Sequence, residues 1–248
     1  MAMIIIDCAA RIEAKNGKLQ ASDWLEEMER AGIAHAVIAA SDEFVTVYNE
    51  QGNRQILELA RRYPEKLSGL AAANPWYGEK ALEQLEEYLV EGLKGLYLNP
   101  QRQGFLLTEK IVHPLIKVCD KYAAVVYCHT GTPVCSMPFQ LANLARTFPR
   151  VKFVMGHAAW SDFSGYDVFP AARQADNIFV ETSCGGKGLV RRLTDELAPE
   201  RVLFGSGYPR SNARVEINKL KSLNLSGEIE NKIFYENARN LWNLDLSD

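Results

Sequence analysis

Two histidines stand at matched places in the 248-residue chain. His129 ends the apolar run Val125–Cys128, and His157 follows the run Val151–Met155 after one glycine. The segment Pro138–Phe148 between them has the spacing of an amphipathic helix. Two buried parallel strands joined by a crossover helix point the same way, so the imidazoles should emerge side by side at one rim. Parallel α/β folds keep their chemistry at that rim. An imidazole pair there suits proton transfer, because the ring titrates near neutrality.

Other elements must position these rings. Apolar runs at Met3–Cys8, His35–Ala40, Leu67–Ala73, Leu93–Leu98, Ala124–Cys128, Val151–Met155, Ile178–Glu181 and Val202–Gly205 predict eight strands. Helical periodicity alternates with them at Asp23–Ala31, Asn49–Tyr63, Lys80–Glu91, Leu115–Tyr122, Asp167–Ala175, Leu189–Leu197, Val215–Leu223 and Glu228–Leu241. Ser22 is the expected N-cap of the first helix and Gly32 its terminator. This order predicts an α/β protein, a single (β/α)8 TIM barrel over residues 1–248, and the length is that of such a barrel. No Gly-x-Gly-x-x-Gly follows the first strand and no P-loop occurs, which disfavours nucleotide binding.

A formal net charge of −3 argues against nonspecific nucleic-acid or anionic-membrane partners. The five cysteines, at positions 8, 119, 128, 135 and 184, form no Cys-x-x-Cys pair. They read as reduced thiols of a cytoplasmic protein. The opening MAMIIIDCAARIEAK has no positively charged leader, and no apolar run reaches the length of a membrane span.

Six stretches, in order across nearly the whole chain, carry a resemblance. They are IIIDC at Ile4–Cys8, GLKGLYLNP at Gly92–Pro100, VVYCHTG at Val125–Gly131, VMGH at Val154–His157, RVLFGSGYP at Arg201–Pro209 and NARNLW at Asn237–Trp242. Together they resemble the amidohydrolase superfamily. Within it they are similar to the amidohydrolase-related branch that includes aminocarboxymuconate-semialdehyde decarboxylase and the dicarboxylate lactonases. The resemblance implies a metal-dependent barrel with His-x-His ending strand one, histidines after strands five and six, and an aspartate after strand eight. His129 and His157 match the middle pair. The other positions fall on Ala9, Arg11 and Gly207. A catalytic zinc usually takes three protein ligands plus water, so the expectation is a degenerate metal site. No resident cofactor is expected, beyond a divalent metal such as zinc held weakly by His129 and His157.

Arg11 brings a permanent cation to the strand-one position, suited to gripping a substrate carboxylate in a bidentate fork; its bland reading is a surface residue past the strand. Lys187 in the glycine-rich turn Cys184–Gly188, with Arg210, suggests an anion site after strands seven and eight, against a solvated flexible turn. Asn99 and Tyr208, with Asn74, Trp76 and Arg102, follow strands and are expected to line the pocket. Cys8 and Cys184 read as core thiols before replacement ligands or nucleophiles. Glu181 is the nearest base carboxylate, but a one-residue slip would turn it to the other face. His35 and His113 are expected to be structural. The resemblance thus implies a hydrolase-like enzyme, or related C–C lyase, acting on a small, carboxylated metabolite through His129 and His157. The competing expectation is a non-catalytic, metabolite-binding paralogue. Homo-oligomerisation through helices or loops fits either.

Overall fold

The structure is a computed structural model that describes residues 3–159 and 165–246. Met1 and Ala2, which head the segment read as leaderless, lie outside the described residues. Eight strand positions succeed one another: β1 Ile6–Ile12, β2 His35–Ala40, β3 in two pieces (Leu67–Gly69 and Ala71–Ala72), β4 Gly95–Leu98, β5 Val125–His129, β6 Phe153–Gly156, β7 Ile178–Glu181 and β8 Val202–Leu203. Each pairs with the next in parallel. The break in β3 at Leu70 is bridged, since Leu70 N–H donates to the Ile38 carbonyl at 2.8 Å and Lys94 N–H to the Gly69 carbonyl at 2.8 Å. The ring closes between β8 and β1. Cys8 N–H donates to the Phe204 carbonyl at 3.0 Å, and Ser206 N–H donates to the Asp7 carboxylate at 3.0 Å. This is the expected (β/α)8 barrel.

The strands read as unbroken apolar runs because both of their faces are buried. Alternation sends Leu96 and Leu98 of β4 outward to the helices and Tyr97 inward. The outer layer also holds Ile12, Ile38, Val126 and Phe153. The interior holds Cys8, Val37, Ala39, Leu70, Tyr127, Val154 and Leu203. Near the start of β1 this interior is covered by Tyr235, Ala238, Trp242 and Leu244. Tyr235 and Ala238 come from the segment Glu228–Leu241, expected to be one helix, and Trp242 and Leu244 follow it. The segment instead runs Gly227–Asn231, a π-helical turn Lys232–Glu236, then Asn237–Trp242. Within the turn the Ile233 carbonyl accepts from Phe204 N–H at 3.1 Å, tying the segment to the end of β8.

Three local expectations change. β1 starts later than Met3 and runs to Ile12, with a bulge between Asp7 and Ala10, so Ala9 and Arg11 are strand residues and not a loop. Ser22 is the first helical residue and Ala21 the cap; the Ser22 hydroxyl bonds the neighbouring Asp23 carboxylate at 3.2 Å. Gly32 does end that helix, at a left-handed φ of 73°. The polar stretch NPQRQG after β4, expected to be a loop, folds into the short helix Pro100–Gln103. No helix among the described residues is long and apolar enough to cross a membrane.

Candidate active site

His129 is the last residue of β5, and His157 follows β6 directly. Their ring centroids lie 4.6 Å apart with planes at 64°. Each is only 4% exposed. His157 and Ala158 adopt left-handed φ values of 61° and 44°. For non-glycine residues such backbone costs on the order of 1–3 kcal/mol each and persists where surroundings enforce it. Glu181 supplies part of that enforcement by accepting the His157 N–H at 2.9 Å.

Glu181 ends β7 and points into the barrel, fully buried. Its Oε2 accepts from Tyr127 Oη at 2.8 Å, from Ser183 Oγ at 2.9 Å and from the His157 amide; its Oε1 accepts from Ser183 N–H. With this carboxylate ionised, the single proton of the Ser183 hydroxyl is committed to it. The Ser183 oxygen must then accept from His157 Nδ1, 2.7 Å away. In that ionisation state the neutral ring carries its proton on Nδ1 and a bare lone pair on Nε2. That Nε2 is buried without a hydrogen-bond partner among the described residues, as is Nδ1 of His129.

Burial pushes the His129 pKa down to about 3, and the charges of Arg11, Arg210 and Arg102 reinforce it. Burial also holds His157 well below its ordinary value, with His129, Arg11 and Arg210 adding to the effect. The expectation of titration near neutrality therefore changes: both rings are neutral at pH 7. Burial raises Glu181 to about 7 against the pull of its four donors. It also raises Asp7 to about 6, although Oδ1 accepts from Ala9 N–H at 2.8 Å and from Ser206 N–H at 3.0 Å.

Arg11 is buried, 8% exposed, with Nη1 3.2 Å from Asp42 Oδ1. Asp42 also takes Arg102, whose Nε lies 3.0 Å from Oδ2. Arg11 shares with His157, Tyr97 and Tyr127 an inner cavity of about 10 Å³, room for roughly one water. The two tyrosine rings stack at 5.5 Å. Toward solvent Arg11 also lines an outer cavity of about 300 Å³ with Ser41, Asp42, Glu43 and Pro209. A groove of about 730 Å³ lined by Lys18, Gln55, Arg62 and Tyr63 contains neither histidine.

The structure brings Arg11, His129 and His157 together, sets Arg102 and Arg210 close enough for their charges to act on the histidines, and gives the other expected residues different partners. Asn99 is buried, and its Oδ1 accepts from Arg102 N–H at 3.3 Å as a helix cap. Tyr208 packs on Trp24 at 4.8 Å. Lys187 is exposed at the start of helix Lys187–Glu196. Arg210 is exposed, yet its charge reaches both histidines. Asn74 donates to the Thr46 carbonyl at 2.7 Å, and Trp76 Nε1 to the Gly104 carbonyl at 3.2 Å. His35 bonds the Glu65 carbonyl and Ser68, while His113 meets the Phe148 ring edge-on. Cys8 is buried, and burial raises Cys184 to about 11, far from a ready thiolate.

Sequence reasoning did not single out Ser183, Asp42, Tyr97 or Tyr127, and left Glu181 ambiguous. A signal for Glu181 did exist. Ile178 and Val180 face the helices, so strict alternation turns Glu181 inward. A second signal is glycine: a Cβ on Gly205 would lie 2.2 Å from Glu181 Oε1, and one on Gly156 would lie 2.5 Å from the Tyr127 ring.

A family model described as Amidohydrolase matches residues 13–244. That match begins after Ile12, so the whole of β1 lies outside it. No curated protein sequence matches the chain. Among solved structures, a TIM-barrel protein of Bordetella bronchiseptica is similar at 19% identity and a TM-score of 0.79, covering 96% of this chain and 98% of the other. A 5-carboxyvanillate decarboxylase of Novosphingobium aromaticivorans, complexed with manganese and 4-hydroxy-3-methoxy-5-nitrobenzoic acid, is similar at 14% identity and a TM-score of 0.80, covering 98% and 97%. A 2,6-dihydroxybenzoate decarboxylase from Rhizobium is similar at 15% identity and a TM-score of 0.78, covering 98% and 100%.

The donors present do not fit the three-ligand arrangement of a catalytic metal. Ala9 and Gly207 offer no side-chain donor, and Arg11 is a permanent cation. Among the described residues no three or more His, Cys, Asp or Glu side chains gather so as to hold a metal ion.

Proposed function

Since the chain belongs to the amidohydrolase family, we propose that it is an enzyme acting on a small carboxylated molecule through a metal-independent site. The observation that carries this reading is the convergence of Arg11 and His157 on one cavity, with the His129 ring against His157. Arg11 would grip the carboxylate. His157 Nε2, its lone pair aimed by Ser183 and Glu181, would take a proton from an attacking water or from the substrate. The neutral His129 ring would hydrogen-bond and polarise the reacting carbonyl. Hydrolysis of a lactone or cyclic amide and cleavage of a carboxylate from an activated carbon both use these roles. Decarboxylases among the structural neighbours make carboxylated aromatic acids a natural part of the substrate panel.

The test is turnover by protein purified without added metal or chelator, across lactones, cyclic amides, β-keto acids and hydroxybenzoates. His157→Gln is expected to lower kcat by about 10²–10⁴-fold, the usual range for losing a general base. Elemental analysis is expected to find no stoichiometric metal; stoichiometric zinc, manganese or iron would overturn the metal-independent site.

One observation favours a second reading, a non-catalytic metabolite-binding protein: both histidines are shut off from solvent and the inner cavity is very small. No turnover by the wild type across the whole panel, with tight binding of one of its members, would decide for it.

A further inference from the structure

Among the described residues, Arg11 alone lines both the inner cavity beside His157 and the outer cavity at the rim. Its side chain is therefore a wall between the two spaces. Asp42 holds that wall in place. One carboxylate spans two guanidiniums, 3.2 Å from Arg11 and 3.0 Å from Arg102, and both of those charges reach His129. Asp42 opens the five-residue helix Asp42–Thr46, one residue after β2, where Thr46 Oγ1 donates to its carbonyl at 2.7 Å. The outer cavity also contains Ser41, whose hydroxyl oxygen is buried and has no hydrogen-bond partner among the described residues. Buried polar atoms of that kind are ordinarily satisfied, so this one is a contact in waiting.

We propose that Asp42 is an internal stand-in for a ligand carboxylate and latches the Arg11 wall shut. This rests on the carboxylate-binding reading above. An acid entering the outer cavity exchanges with Asp42 on Arg11, and the Arg11 side chain moves with it. The outer and inner cavities then join at His157. Swapping one carboxylate for another conserves the ion pair, and a ligand that meets the guanidinium in a two-bond fork improves on the single Arg11–Asp42 bond. Glu13 and Glu43 line the same outer cavity and repel a second negative charge. The ligand class is therefore a monocarboxylate with an uncharged body.

Access can be read directly by modifying histidines with diethyl pyrocarbonate and following each peptide by mass spectrometry. In Asp42→Asn, His129 and His157 are expected to react about fivefold or more faster than in the wild type, as the closed population falls. His35, 2% exposed at the opposite rim, should keep its rate and so reports intact folding. Unchanged rates at His129 and His157 would overturn the latch. If His35 also accelerates in the variant, the wild-type chain is compared with Arg11→Ala, which removes the wall and leaves Asp42 paired with Arg102. A rise confined to His129 and His157 then supports the latch, and no rise overturns it. Benzoate, titrated calorimetrically, is expected to bind Asp42→Asn about tenfold more tightly than wild type, because its internal competitor is gone. Equal or weaker binding would overturn the stand-in role. Neither readout depends on turnover, so the latch and the catalytic reading fail separately.

Discussion

Glu181 receives four hydrogen bonds yet is cut off from water, and these two conditions pull its proton affinity in opposite directions. Burial wins, leaving the pKa at about 7 against an ordinary 4.5. The folded chain therefore holds a proton that the unfolded chain releases. This group's contribution to stability is complete below about pH 4.5 and is lost as pH rises through about 7, by roughly 3 kcal/mol at most. His129 has the other sign. Its pKa falls from 6.5 to about 3, so its contribution is present above 6.5 and is lost as pH falls through about 3. Urea midpoints measured from pH 4.5 to 7.5 should show both. Glu181→Gln should lack the upper part of the fall toward neutral pH, the rest coming from buried Asp7 with its pKa at about 6, and His129→Gln should lack part of the fall toward acid. Variants whose curves run parallel to the wild type would contradict these assignments. At this scale the sequence exposed the histidines through their position after apolar runs. It hid Asp42, because nothing local connects a residue after β2 with Arg11 on β1.

The ends of β6, β7 and β8 fit together because glycines leave room for larger neighbours. A Cβ at Gly205 would also lie 2.7 Å from Ala9 Cβ, so Glu181 would be forced from its place on both counts. Gly205→Ala should destabilise the chain by about 3 kcal/mol, the upper part of the overpacking range, as measured by denaturant unfolding. A cost within experimental error would mean that the Glu181 network is looser than its hydrogen bonds indicate. Strands β2 and β7 matched their sequence expectation residue for residue, since burial on both faces makes their apolar runs continuous. β1 did not, for a physical reason. Asp7 and Arg11 break the apolar run while being buried, each compensated by partners on other elements. A reading that equates polarity with surface ends the strand too soon. The N-cap at Ser22 also failed, because the helix begins with Ser22 itself and Ala21 takes the cap position.

At the scale of the molecule, the barrel is open to chemistry at one end and sealed at the other. Trp242, buried against the interior apolar cluster, belongs to that seal. Trp242→Ala should cost about 3–5 kcal/mol, the range for removing a large buried aromatic. Calorimetry should still show one cooperative transition at a lower Tm; two separated transitions would mean the seal folds independently of the barrel. The architecture was legible because alternation of strand and helix repeats eight times. The partition at the mouth was not, since Arg11, Asp42 and Arg102 meet only when the ring of strands has closed. Trp76 stands on that same rim, 56% exposed, and its indole N–H is bonded to the Gly104 carbonyl just beyond Arg102. Trp24 and Trp242 are by contrast fully enclosed. In a Trp160→Phe chain, which removes the fourth indole outside the described residues, the mouth carries an intrinsic fluorophore whose emission wavelength and iodide quenching follow the rim against a steady background from those two indoles, so its opening can be timed in a stopped-flow cell without attaching a dye.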